Sequence, residues 1–365
     1  MNMKHFNINK LIAAFICAAL LFSACNKDVP DPVPIPRPEP GPGLTIGDII
    51  TRDTNFSYLL ASVNRVGLGD AVFTPTNNLT VFAPPNAVFR GFLAALGLPT
   101  SISTIQAIPL TTLSPLINYH VLGYKVPATN IPETFPNQLT HSMFALPGAP
   151  APFVRAPLFP SRRGSSAWVN NVPVIQADVQ ASNGVIHVIG GIVLPTYTVT
   201  AAAAPVSVTT LSQLIKADTT LSFLKTAIAR ADSGQVGMNR LDSVMNLAYG
   251  PNLTIFAPNN NAFRALLTAL GAPPVEAAIN ALPVQTVRAI VSYHGLGTRV
   301  FSPNLPATAI PVPTLLTAAI PGTTVSVSTA GVKGLANPTI SNITSANRNV
   351  LNGTIHVIDQ VLRFQ

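Results

Sequence analysis

Leu79-Thr80-Val81-Phe82-Ala83-Pro84 is a short β-branched and aromatic run stopped by proline, and it recurs as Leu253-Thr254-Ile255-Phe256-Ala257-Pro258. Two further blocks follow each copy in the same order. Asn118-Tyr119-His120-Val121-Leu122-Gly123 is matched by Ser292-Tyr293-His294-Gly295-Leu296-Gly297. Asn183-Gly184-Val185-Ile186-His187-Val188-Ile189 is matched by Asn352-Gly353-Thr354-Ile355-His356-Val357-Ile358. The offset is 174 residues from Phe82 to Phe256 and from His120 to His294, and 169 from His187 to His356. A near-constant offset over most of the chain means a duplicated domain. The period is too long for a solenoid unit, so each copy holds its own core.

The local pattern gives each copy its elements. Residues 79–83 read as a strand, with Asn86 as a candidate helix N-cap. Phe89, Phe92, Leu93 and Leu96 then share one helical face, and Gly97 with Pro99 ends the helix. The second copy repeats this with Asn259 or Asn260, then Phe263, Leu266, Leu267 and Leu270, and a stop at Gly271. Residues 112–120 and 284–294 read as another helix, each closed by the Tyr-His pair. Residues 323–328 alternate with period two, and Asn183-Gly184 and Asn352-Gly353 read as hairpin turns before the last strands. Helices before strands in each copy argue an α+β fold.

The blocks Thr-(Val/Ile)-Phe-Ala-Pro-x-Asn-x-x-Phe, Tyr-His and Asn-Gly-x-Ile-His-Val-Ile, in that order, resemble the fasciclin domain. The resemblance covers roughly residues 44–198 and 206–365. It implies two tandem fasciclin-like domains, over 44–200 and 206–365, each a β-sandwich or wedge-like sheet with a helical cluster. It also implies a role in adhesion or in ligand or matrix binding. In animal members the Tyr-His region is tied to integrin adhesion, so the resemblance makes Tyr119, His120, Tyr293 and His294 the candidate adhesion motif. Their apolar helical neighbours point instead to burial in the core.

The first residues read as a processing segment. Lys4 and Lys10 precede an apolar run over 11–22, shorter than a membrane-spanning helix needs. Leu21-Phe22-Ser23-Ala24-Cys25 resembles a bacterial lipoprotein cleavage box. The expectation is a signal peptide over 1–24, a lipidated Cys25, and a proline-rich linker to residue 43. Alternating proline over 29–43 excludes helix and sheet and gives an extended spacer of roughly 45 Å at about 3.1 Å per residue. Asn26-Lys27-Asp28 resembles the Lys-plus-acidic export tag of some surface lipoproteins. The implied location is the outer membrane facing outward, with a periplasm-facing orientation as the alternative. The link over 201–205 is short, which predicts limited relative motion; small-angle scattering showing two freely tumbling domains would contradict it.

Composition narrows the chemistry. Only 9% of residues are charged against 48% hydrophobic, and the net charge of +8 reflects scarce acids. Basic residues are scattered, without the stripe that nucleic-acid binding requires. The two cysteines are Cys17 and Cys25, so the expected mature domains contain none and disulfides and zinc-thiolate sites are excluded. Two histidines recur per copy, His120 with His187 and His294 with His356. Too few further ligands accompany them for zinc, and backbone hydrogen bonding within each domain is the expected role. No cofactor motif, nucleophile elbow or recurrent carboxylate pair appears. The reading is therefore a lipid-anchored, non-enzymatic binding protein with a protein or glycan ligand. A periplasmic scaffold is the second reading and a hydrolase whose residues assemble across the fold the third. The copies differ at 147–164 and 234–252, both read as long loops that are either functional or drifting.

Overall fold

The computed structural model describes residues 43–133, 135–146, 149, 155–195, 197–198 and 207–365. The signal peptide, Cys25, the link over 201–205 and all but the last residue of the proline-rich linker lie outside the described residues. The described residues divide into two compact units, the second beginning at Val208 and also taking in Phe135–Asn137.

In the first unit, helices α1 (Ile46–Arg52), α2 (Ser57–Arg65) and α3 (Gly69–Phe73) precede strand β1 (Leu79–Ala83). Helices α4 (Asn86–Ala95) and α5 (Leu110–Tyr119) follow. Thr45 starts α1 with a capping box: its hydroxyl accepts from Asp48 N–H, and the Asp48 carboxylate accepts from Thr45 N–H. The sheet order is β2 (Val121–Leu122), β1, β8 (Gly184–Ile189), β7 (Val172–Ala181), β6 (Ser166–Val169) and β5 (Pro160–Arg163). β1 and β8 run parallel, and the other pairs are antiparallel. A separate ribbon pairs β3 (Thr140–Ala145) with β4 (Arg155–Leu158). Both central strands are buried along their whole length, as parallel strands covered on two faces must be. Ile50, Leu59, Phe89, Leu93 and Leu116 pack the helices onto Val81, Ile186 and Val188.

The second unit repeats the plan. Helices α6 (Leu211–Ala217), α7 (Ser222–Ala231) and α8 (Leu241–Met245) precede β9 (Leu253–Pro258), with α9 (Asn260–Ala269) and α10 (Val284–Tyr293) after it. The main sheet is β10 (Gly295–Leu296), β9, β15 (Gly353–Ile358) and β14 (Ile343–Val350), again with a parallel central pair. A second sheet holds β11 (Ile310–Pro313), β12 (Thr324–Ser328) and β13 (Gly331–Lys333). Two cores flank the main sheet. Leu224, Ile228, Phe263, Ile255 and Ile355 fill the helical side. Phe256, Leu296, Val325, Val327 and Ile358 fill the sandwich side. The α+β expectation of a wedge of sheet with a helical cluster holds in each unit.

Three local expectations are corrected. Asn86 does not cap α4; Pro85 occupies the N-cap without a side-chain bond. Asn86 instead receives Tyr58 N–H and donates to Thr54 O and Ser57 Oγ, tying α4 to the start of α2. The two hairpins turn through Ser182-Asn183 and Leu351-Asn352, and each glycine already belongs to its strand. A Cβ on Gly184 would lie 2.1 Å from Leu79 O, and one on Gly353 2.4 Å from Leu253 O. Glycine is needed there for close backbone approach. Finally, 147–164 and 234–252 are not plain loops. β4 and β5 occupy 155–158 and 160–163, and 237–239 is a 3-10 turn leading into α8.

Candidate functional site

The recurrent polar residues converge on the buried junctions between elements. Asn183 is fully buried. Its Oδ1 accepts from Ile46 N–H, and its Nδ2 donates to Val72 O and Thr74 O. One side chain thus ties the start of α1 and the end of α3 to the β7–β8 turn. Asn352 does the same, accepting from Leu211 N–H and donating to Met245 O. Thr80 and Thr254 form a second matched device: each hydroxyl donates to a carbonyl (Tyr124 O, Thr298 O) and accepts from an amide two residues on (Val126, Val300).

The histidines are fixed in single tautomers. His120 Nδ1–H donates to Leu116 O at 2.7 Å while its Nε2 accepts from Val193 N–H at 3.0 Å. His294 repeats this with Ile290 O and Leu362 N–H. His187 and His356 take the opposite tautomer, donating from Nε2 to Val126 O and Val300 O. Their Nδ1 atoms accept from Asp178 and Asn347, which sit at β-bulges with φ of 58° and 57°. Asp178 and Asn347 in turn accept from Ala128 and Ser302 N–H. Both nitrogens of every recurrent histidine are therefore engaged with backbone. Burial lowers the pKa of His120, His294 and His356 to about 4 and lowers that of His187 as well. His141 lies exposed on β3, away from this framework. Among the described residues no group of His, Cys, Asp or Glu is arranged to hold a metal.

Tyr119, His120, Tyr293 and His294 all lie beneath the surface. Tyr119 OH donates to Pro157 O and accepts from Asn170 Nδ2. Tyr293 OH donates to Thr324 O and accepts from Leu335 N–H. Each tyrosine is thus the strut that holds a helix to the sandwich-side strands. Burial also raises the Tyr293 pKa, so its phenol stays protonated. None of the four side chains is presented to a ligand in this fold.

The carboxylates of the second domain hold local structure. Burial alone would push the Asp218 carboxyl up, but hydrogen bonds from Thr220 and Arg348 outweigh it and leave the pKa lowered. Asp242 follows the same logic with Lys216 and Ser212. Asp232 accepts from Leu241 and Asp242 N–H at the start of α8.

What remains accessible differs between domains. In the first, a groove of 340 Å³ opens between α5 and β3, lined by Leu110, Pro115, Met143 and Phe144 with Ser114 and Asn118. Asn118 Nδ2 is engaged with Ser114 O and Oγ. The lining is neutral and suits an apolar or uncharged ligand. In the second, the 3-10 turn Leu315–Ala318 packs against α10, the equivalent of α5. Sequence reading did not find this groove, because Pro115 and Met143 belong to no recurrent block.

Comparison with protein families matches the fasciclin domain to residues 54–195 and 209–364. The chain belongs to the fasciclin family. The family is non-enzymatic in general, and its domains are associated with adhesion. Protein sll1483 of Synechocystis sp. is 32% identical over 152 residues, covering 42% of this chain and 74% of that protein. An uncharacterized protein of the same organism, sll1735, is 29% identical over 149 residues, covering 41% of this chain and 96% of its own. A solved FAS1 domain pair from the insect cell adhesion molecule Fasciclin I aligns over 83% of this chain and 92% of that chain, with 15% identity and a TM-score of 0.30.

Proposed function

We propose that this fasciclin protein is a lipid-anchored envelope protein, tethered through Cys25, that presents its two domains outward for adhesion to a protein or glycan ligand. It acts by binding and not by catalysis. One observation carries the reading: the polar side chains that recur in both domains are spent on internal backbone bonds, while the differences lie in accessible segments. A chain that keeps its chemistry inside and varies its surface behaves as a presentation scaffold. Two domains on one tether raise the effective concentration of the second site once the first is engaged, so weak sites sum to useful avidity. The groove beside α5 is the ligand site we favour in the first domain.

Protease shaving of intact cells tests the outward orientation, with a periplasmic protein followed as control. Loss of both domains while the control survives is the expected result. Protection until the envelope is opened would sink it and leave the periplasmic scaffold as the reading.

A further inference from the structure

We propose that the loop over 232–240 of the second domain docks on an anionic lipid bilayer, inserting Val236 and Met238. Between the second and third helices the first domain spends three residues, 66–68, whereas the second spends nine, 232–240. The added residues do not extend the core. Val236 is 76% exposed and Met238 54%.

The loop is nonetheless built. The Asp232 side chain is 2% exposed, and its oxygens accept from Leu241 and Asp242 N–H at 2.7 and 2.9 Å. Arg288 Nη1 lies 3.4 Å from the same carboxylate, and its Nη2 donates to Asn239 O at 2.6 Å. Within the loop, Gln235 N–H donates to Asp232 O, Asn239 N–H to Val236 O, and Arg240 N–H to Gly237 O. Gly234 and Gly237 take φ of 76° and 54°, left-handed backbone that glycine adopts without strain. Two apolar tips are thus held out from a shape set by internal bonds, so little ordering entropy remains to be lost on docking.

Charge and shape select the partner. Arg240 and Arg288 both face Asp232, Lys216 pairs with Asp242, and Arg230, at the end of α7, donates to Leu282 O, which makes four cations against two acids. The flank is positive and the tip apolar. A protein interface needs about 800 Å² per partner, more than a two-residue turn supplies. A bilayer accepts small apolar protrusions at the headgroup boundary and rewards basic flanks when its lipids are anionic. The inference is independent of an acyl chain at Cys25.

The test uses the full chain with Cys17→Ser and Cys25→Ser, and Gln235→Cys carrying an environment-sensitive fluorophore. Adhesion through residues 11–22 is common to the chain and its serine variant, so the contrast between them reports the loop. With vesicles of phosphatidylcholine and phosphatidylglycerol the emission shifts to the blue, and raised salt weakens the response. Vesicles of phosphatidylcholine alone give little. Adding Val236→Ser and Met238→Ser, both at exposed positions, raises the lipid concentration needed by at least about tenfold. No shift, an equal shift with neutral vesicles, or an unchanged response in the serine variant overturns the proposal. A shift that depends on protein concentration without lipid would assign the loop to a second copy of the chain, and also overturns it.

Discussion

Asn183 and Asn352 make matching backbone cross-links in their two domains, whereas the stretches 66–68 and 232–240 share neither length nor chemistry. Two copies within one chain provide an internal control. What both keep is what the fold requires: an asparagine at the hairpin, a threonine on the first strand, two histidines of opposite tautomer and a buried tyrosine strut. What they do not share is open to function, and it lies in the groove beside α5 and the loop before α8.

The histidines give the largest expected effect. A buried imidazole kept neutral in the folded state binds fewer protons than in the unfolded chain once pH falls below its ordinary value near 6.5. Stability is therefore full above about pH 6.5, declines towards pH 4 and is flat below. His294 and His356, each lowered to about 4, together remove on the order of 6 kcal/mol from the second domain across this window. Chemical denaturation at pH 7 and at pH 4.5 checks this by far-UV circular dichroism. His356→Gln and His294→Gln should each flatten the pH dependence; an unchanged slope would show that the rings are not held neutral.

The asparagine bridges come next. Asn183→Ala leaves Ile46 N–H, Val72 O and Thr74 O without that partner and should cost about 4 kcal/mol. Asn352→Ala, with two such bonds, should cost about 3 kcal/mol. Trp168, the single tryptophan, reports unfolding of the first domain. Its transition should shift in Asn183→Ala and stay in place in Asn352→Ala. A shift in both would mean the domains do not unfold independently.

Much of this framework is legible in the sequence, because recurrence at one offset reveals elements that propensity alone leaves ambiguous. The strands at Leu79–Ala83 and Leu253–Pro258 and the helices ending at Tyr119 and Tyr293 follow from period and punctuation. The asparagine roles do not follow. Asn86 reads as a cap and Asn183 as a turn residue because local rules assign such side chains to their own backbone. Asn183 does sit in its turn, but both side chains reach residues far away in sequence. β4 and β5 were hidden by Pro157 and Pro160, since proline argues against a strand. Pro160 opens its strand and Pro157 lies on a two-stranded ribbon, positions where a missing N–H is tolerated. The groove was illegible because its walls come from α5 and β3, which no sequence spacing brings together.

A pair present in one domain alone gives a smaller effect. Arg348 faces Asp218 across the second domain, both side chains 13% exposed. Arg348 pairs with Ile355 in the register in which Val179 pairs with Ile186. Arg348→Val therefore writes the first domain's residue into the second. It should cost about 2 kcal/mol, because Asp218 keeps Thr220 but loses its cation. A neutral outcome in denaturant melts would show that the ion pair only offsets its own desolvation.

The smallest effect tests the comparison at one atom. Asn259 caps α9, its Oδ1 accepting from Ala262 N–H at 2.9 Å, where the first domain has Pro85 and no side-chain cap. The neighbouring asparagines are alike: Asn260 receives Phe223 N–H and donates to Thr219 O, as Asn86 does with Tyr58 and Thr54. The cap and the bridge are thus separable in the second domain, and the first dispenses with the cap. Asn259→Ala should cost about 1 kcal/mol, the ordinary worth of an N-cap. Asn260→Ala should cost more, since it leaves the Phe223 amide without its side-chain acceptor as well as losing a helix-to-helix tie. Equal losses in thermal melts would mean that the bridge contributes no more than a cap, and that its presence in both copies needs another cause.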